Sequence, residues 1–155
     1  MSNYSVTRSA LVPAPAKYVF PLVNNFREWT QWSPWESVDP NMSRTYTGPE
    51  SGVGAKYAWS GNRKAGSGNM EIVGAQEPDS VNIRLEFTKP FAAVNPTTFT
   101  FVPEGSGTRV TWTMNGEHKG IGKVFALFMN MDKMIGADFE TGLANLKAVA
   151  EKASP

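Results

Sequence analysis

From Ile121 to about Ala150 the chain reads as one long amphipathic helix, and this segment constrains the fold more than any other. At about 100° per residue, Val124, Phe125, Phe128, Met131, Ile135, Phe139, Leu143, Leu146 and Val149 share one side. Lys123, Asn130, Lys133, Ala137, Glu140, Ala144 and Lys147 share the other. A stripe this broad has to cover something. Nearly everything before it reads as strands and turns, so the partner is a sheet. One long helix laid on a curved antiparallel sheet leaves a space between the two, and such spaces take small apolar molecules.

The preceding elements follow from local pattern. Tyr4 to Val12 forms a first strand, with Val6, Ala10 and Val12 on one parity, and Pro13-Ala-Pro15 ends it. Ala16 to Asn24 carries Val19, Leu22 and Val23 at helical spacing. Pro21 inside it removes one helical hydrogen bond, so a kink is expected there. A short helix over Phe26 to Gln31 follows. Ser33-Pro-Trp-Glu36 matches a capping box with Pro at the first helical position, and gives a turn or so of helix before Pro40.

Six further strands are expected. They lie over Met42 to Thr47, Val53 to Trp59, Gly68 to Ile72, Val81 to Thr88, around Phe99 and Phe101, and Val110 to Met114. The cleanest alternation is Val81, Ile83, Leu85 and Phe87 against Asn82, Arg84, Glu86 and Thr88. Ser60 to Gly66 reads as a hairpin loop and Pro103 to Gly107 as a turn. Gly52-Val-Gly54 and Gly66-Ser-Gly68 fit no phosphate-loop pattern. Glycines at strand starts more often mark bulges that curl a sheet. Short, regular spacing makes the connections antiparallel. At 155 residues the chain is expected to form one domain over 1–155.

Composition narrows the function. Formal net charge is +1 and no Lys/Arg run exists, so nucleic acid is not an expected partner. There is no cysteine, which excludes disulfides, thiolate metal sites and a cysteine nucleophile. No apolar run reaches the roughly 18 residues of a membrane span, so stable membrane insertion is not expected. Met1-Ser-Asn-Tyr-Ser-Val lacks the features of a signal peptide, which makes the cytoplasm the expected location. His118, the one histidine, sits between Glu117 and Lys119 in a Gly-rich loop and has no metal-ligand spacing around it. That loop, Gly116 to Gly122, reads either as a plain turn or as a mobile segment at a pocket mouth. No Ser lies in G-x-S-x-G. Neither a metal nor a cofactor is expected.

The inward strand parity and the helix stripe together define a candidate lining. Its members are Tyr57, Trp59, Met70, Phe87, Phe101, Trp112, Met114, Phe128, Met131, Ile135 and Phe139, with Trp32 and Trp35 closing one end. Many of these must also serve as ordinary core. Trp29, Trp32 and Trp35 recur every three residues and partly share a face, as a core cluster or an aromatic cage. Asp132 falls inside the apolar sector of the helix. It reads as a polar anchor on the pocket wall, or as an edge carboxylate that reaches solvent or pairs with a strand Arg or Lys. Leu127, Met129 and Met134 fall off the stripe, so the start of the helix is apolar almost all round, under the preceding loop or in a subunit contact. A monomer or a homodimer fits.

Several stretches resemble the START-related helix-grip (SRPBCC) superfamily. They are Ala14-Pro-Ala-Lys-Tyr-Val-Phe20, the Trp29 to Glu36 segment, Gly52-Val-Gly-Ala-Lys-Tyr57-Ala-Trp59, Thr108-Arg-Val-Thr-Trp112 and Gly142-Leu-Ala-Asn-Leu-Lys147. The polyketide cyclase/dehydrase-like and lipid-transport-like branch is the most similar. The resemblance implies an α+β helix-grip fold. A curved seven-stranded antiparallel sheet would wrap around a long C-terminal helix, with two short helices after the first strand. It implies a cavity for a small hydrophobic molecule: a lipid, a polyketide, a quinone or another aromatic. It also leaves open a cyclase or dehydratase, which needs an acid/base pair facing the cavity. Asp132 with Arg84, or Glu71 with a Trp or Tyr, are the candidates, although the parity of Arg84 and Glu86 points them to solvent. A protein-interaction module is the third reading.

Overall fold

The computed structural model describes residues 3–37, 41–62, 66–89, 93–117 and 123–153; at 3, 4, 36, 37, 89, 117 and 123–134 the description is of the backbone. Seven strands form one antiparallel sheet. They are β1 (Asn3–Val12), β2 (Ser43–Thr47), β3 (Lys56–Ser60), β4 (Ser67–Gln76), β5 (Ser80–Lys89), β6 (Ala93–Glu104) and β7 (Gly107–Glu117). Their order across the sheet is β1-β7-β6-β5-β4-β3-β2, so β1 and β2 are the two edges. Helix α1 (Ala16–Asn24) and two 3-10 helices, Phe26–Gln31 and Pro34–Ser37, lie between β1 and β2. The long helix α2 spans Lys123–Ala153 and packs against β1, α1 and both 3-10 helices.

This is the helix-grip α+β architecture that the resemblance implies, and its strands and long helix are those the hydrophobic periodicity anticipates. In the second half of α2, Phe139, Leu143, Leu146 and Ala150 are buried, whereas Ala137, Glu140, Ala144 and Lys147 are exposed. On the sheet, burial alternates with period two. Val6, Val12, Val81, Ile83, Phe99, Phe101, Val110, Trp112 and Met114 face the core, and Leu11, Val94 and Val102 face outward.

Helix α1 runs through Pro21, which is exposed. Burial of Val19, Phe20, Leu22 and Val23 outweighs the single missing hydrogen bond. The carbonyls at its C-terminal end lack helical partners and find tertiary ones. Trp29 Nε1 donates to the Val23 carbonyl at 2.9 Å, Trp32 Nε1 to the Leu22 carbonyl at 2.9 Å, and the Gly52 amide to the Asn24 carbonyl at 3.0 Å. Two of the three clustered tryptophans therefore terminate the helix that precedes them.

Three local expectations need correction. Val53 is not in a strand; it is 60% exposed, in a turn where Gly52 and Gly54 take φ of 78° and 97°, and β3 starts at Lys56. Those two glycines therefore build a turn and not a bulge. The expected bulge occurs at the second pair, where the β4–β5 register shifts between Ser67 and Gly68, and again between Ile72 and Gly74. Strand β6 begins at Ala93, well before Phe99. Its first half carries Pro96 and the inward-facing polar residues Asn95 and Thr97, so apolar alternation does not reveal it.

Candidate functional site

The concave face of the sheet divides into two regions. The first is packed solid. Trp112 on β7 stacks on Phe139 of α2 with ring centroids 4.0 Å apart, and on Phe99 at 4.7 Å. Trp29, Trp32 and Trp35 stand edge-to-face around Trp112 at 6.1, 5.6 and 5.6 Å. Phe20 meets Phe101 at 5.6 Å. Trp32, Trp112 and Phe139 thus fill one another's space, and Phe101 packs on Phe20, so these four members of the sequence-derived lining are buried in the core. Trp35 is half-buried against Trp112 and Phe139. Among the described residues, Trp112 Nε1 finds no hydrogen-bond partner despite its burial.

The second region lies over β2 to β5. Tyr46, Tyr57, Trp59 and Phe87 form a continuous aromatic row across these strands. Tyr46 and Tyr57 are 5.1 Å apart, Tyr57 and Trp59 are stacked at 6.0 Å, and Trp59 meets Phe87 edge-to-face at 5.9 Å. Gly68 makes this row possible. It pairs with Trp59 on one side and Phe87 on the other, so the two rings approach over a position with no side chain. A Cβ there would lie 2.7 Å from the Trp59 ring and would run into the Glu86 carbonyl. Tyr57 and Met70 are buried; Tyr46, Trp59, Leu85, Phe87 and Ile135 are only partly so. Met114 is buried.

Two buried polar side chains on β6 lie on this inward parity and escaped the sequence reading. Asn95 donates from Nδ2 to the Asn115 carbonyl at 3.1 Å, and Thr97 donates from Oγ1 to the Asn95 carbonyl at 3.1 Å. Extending the Phe99/Phe101 parity backwards would have found both.

At the β2 edge, the Arg27 guanidinium lies over the Tyr46 ring, 4.4 Å from its centroid. Beside it opens a cleft of about 240 Å³, lined by Asn25, Phe26, Arg27, residues 46–50, Ala55 and Lys56. At the opposite edge, Arg8 of β1 faces inward beneath α2. Its Nε donates to Glu140 at 3.1 Å, and its guanidinium fills the space that a side chain at Gly136 would need.

The acid/base pairs considered from the sequence are not assembled by the described residues. Arg84 lies on the convex face, paired with Glu86 at 3.1 Å. Glu71 shares that face, opposite the parity of Met70 and Ile72, and its register partners are Lys56 and Arg84. Neither faces the concave side, because alternation along one strand sends successive side chains to opposite faces. The side chains of Phe128, Met131 and Asp132, and of Leu127, Met129 and Met134, lie outside the described residues, as do His118 and residues 119–122; Gly116 and Glu117, expected in that loop, are the last residues of β7. No described helix is long and apolar enough to cross a membrane.

Comparisons with known proteins agree with this geometry. Among solved structures, the chain is similar to a protein from Rhizobium leguminosarum, with a TM-score of 0.69 at 14% identity over 97% of this chain and 96% of that one. A protein from Thermus thermophilus has a TM-score of 0.68 at 18% identity, covering 98% of this chain and all (100%) of the other. DynU16, from the dynemicin biosynthetic locus, has a TM-score of 0.66 at 16% identity, covering 97% of this chain and 48% of its own. At these identities the likeness is one of fold. No curated protein matches the chain. The sequence profile described as polyketide cyclase/dehydrase and lipid transport matches residues 4–151, nearly the whole chain, and the protein belongs to that family.

Proposed function

We propose that the protein binds a small hydrophobic molecule between the aromatic row of β2 to β5 and the first half of α2. The observation that carries this reading is the contrast between the two halves of the concave face. One half is closed by the Trp112–Phe139 stack; the other leaves Tyr46, Trp59 and Phe87 partly uncovered on the same side of the sheet. Partly exposed rings in a continuous row on a concave face mark a surface that another molecule can cover. The lining is accordingly narrowed from the sequence-derived set to Tyr57, Trp59, Met70, Phe87, Met114 and Ile135, and Phe128, Met131 and Asp132 stay in the proposal from the sequence alone. Asn95 and Thr97 supply polar groups in an otherwise apolar wall, an arrangement typical of pockets that orient a ligand.

Native and denaturing mass spectrometry on protein purified without detergent test the proposal. Extra mass present only in the native spectrum, lost in Trp59→Ala, is the expected result. An apo mass for wild type, together with no binding of aromatic probes, overturns it.

A further inference from the structure

The cleft at the β2 edge is built beside a cation that is held in place without a partner acid. Arg27 lies in the first turn of the Phe26–Gln31 helix, where Asn25 fixes its backbone: Oδ1 of Asn25 accepts from the Arg27 amide at 3.0 Å. The guanidinium then lies over the Tyr46 ring, 4.4 Å from its centroid. Among the described residues no carboxylate pairs with it. The neighbouring acid, Glu28, is taken by the Gln31 carboxamide. Arg27 is exposed, at the wall of the cleft of about 240 Å³. Phe26 and Ala55, both buried, give that cleft apolar lining. Its rim is set by Gly48, which takes a φ of 77° and whose missing Cβ leaves room for the Gly54 carbonyl. Glu50 is the one carboxylate among the lining residues. Lys56 borders the cleft from the outward parity of β3, so the cation that matters is Arg27 alone.

A guanidinium carries its N–H donors in its own plane, in a fork that matches a carboxylate edge-on. Stacking on an aromatic ring covers a face of the group and not that edge. Tyr46 therefore holds Arg27 flat with its donors available, and a ligand does not have to order the side chain. We infer that this cleft is a second binding site, for a small organic acid. The carboxylate lies on Arg27, and a compact apolar body lies on Phe26, Ala55 and Tyr46. The site goes beyond the pocket proposed above: it has a different wall, and of the aromatic row it uses only Tyr46.

NMR titration of isotope-labelled protein with cyclohexanecarboxylate, and with cyclohexylmethanol as its neutral analogue of similar shape, tests it. The acid is expected to shift the amides of Arg27, Tyr46, Thr47 and Gly48. It is expected to bind about tenfold more tightly than the alcohol, a preference that shrinks in high salt. R27Q loses the preference. R27K keeps only part of it, because an ammonium has no planar fork. E50Q binds the acid more tightly, because a like charge is gone from the cleft, and R84Q, on the convex face, behaves as wild type. Equal binding of acid and alcohol in wild type, or a preference that survives R27Q, overturns the assignment. Inorganic phosphate binding as tightly as the acid overturns the organic part of it. Acid-induced shifts confined to the amides of Trp59, Gly68 and Phe87 overturn the second site and leave the small-molecule reading of the pocket intact. No binding of the acid also overturns the second site alone, since the mass-spectrometric test of the pocket is independent of this probe.

Discussion

Trp112 of β7 and Phe139 of α2 are stacked face to face, 4.0 Å between ring centroids and 9° between planes. This contact joins the two layers of the fold, and α2 has no other aromatic residue in its described second half. Phe139→Ala should therefore cost about 3–5 kcal/mol, the range for deleting a fully buried aromatic side chain. Urea denaturation of the variant gives the value, and near-ultraviolet circular dichroism should show loss of the Trp112 environment.

Trp59 is placed differently, half-buried above Gly68. Trp59→Ala should destabilise the fold by less than Phe139→Ala, yet abolish probe binding. Comparing the two variants by denaturation midpoint and by calorimetry separates the row over β2 to β5 from the packed core.

Gly68→Ala should act on the same row through the backbone. The added methyl meets the Trp59 ring at 2.7 Å as well as the Glu86 carbonyl, so both strand spacing and ring position have to shift. A cost of about 1–3 kcal/mol, typical of overpacking, is expected. A shift in tryptophan fluorescence should accompany it. An unchanged emission spectrum at full stability would show that the ring moves freely.

Trp32→Phe should leave the Leu22 carbonyl, at the end of α1, without its indole donor. An orphaned buried acceptor costs about 1–3 kcal/mol, in addition to the lost ring area. Hydrogen exchange should report the loss as faster opening of the last turn of α1.

Glu104 and Arg109 form a paired hydrogen bond on the convex face, both contacts at 3.1 Å. The side-chain hydrogen bond from Arg109, helped by its charge, holds the Glu104 carboxyl below its ordinary value. A lowered folded-state pKa means that the contribution is present above the unfolded-state value and is lost as pH falls through the folded one. Both groups are solvated, so the effect is small. The gap in denaturation midpoint between wild type and Arg109→Gln should narrow on acidification, and the Glu104 titration measured by NMR should move up in the variant.

Much of the fold is legible in the chain because it depends on local period. Ala16 to Asn24 and Phe26 to Gln31 are helical where the spacing puts them, and the stripe of α2 continues through Leu143 and Leu146 as drawn on the wheel. The misses are local too. Val53 alternates with Ala55 and Tyr57 and so reads as strand, but two glycines at positive φ turn the backbone there. The first half of β6 has polar inward residues and a proline, so it carries no strand signal; pairing with β5 and β7 makes it a strand.

The candidate site was legible only as a list of inward-facing residues. Strand parity and the helix stripe assign Trp112, Phe139, Trp59 and Phe87 to one lining without saying which touch each other. The tertiary structure sorts them, stacking the first two into core and leaving the last two half-covered over Gly68. It also brings Arg27, from before the sheet's second strand, onto the ring of Tyr46, and places Arg8 and Arg44 at opposite edges of one face. The sequence by itself determined the elements and their apolar faces, because periodicity is a property of neighbouring residues. Which aromatic rings close a core and which form a wall, and where charge meets that wall, depend on strand order and on pairings between residues far apart in the chain, and only the tertiary structure decided them.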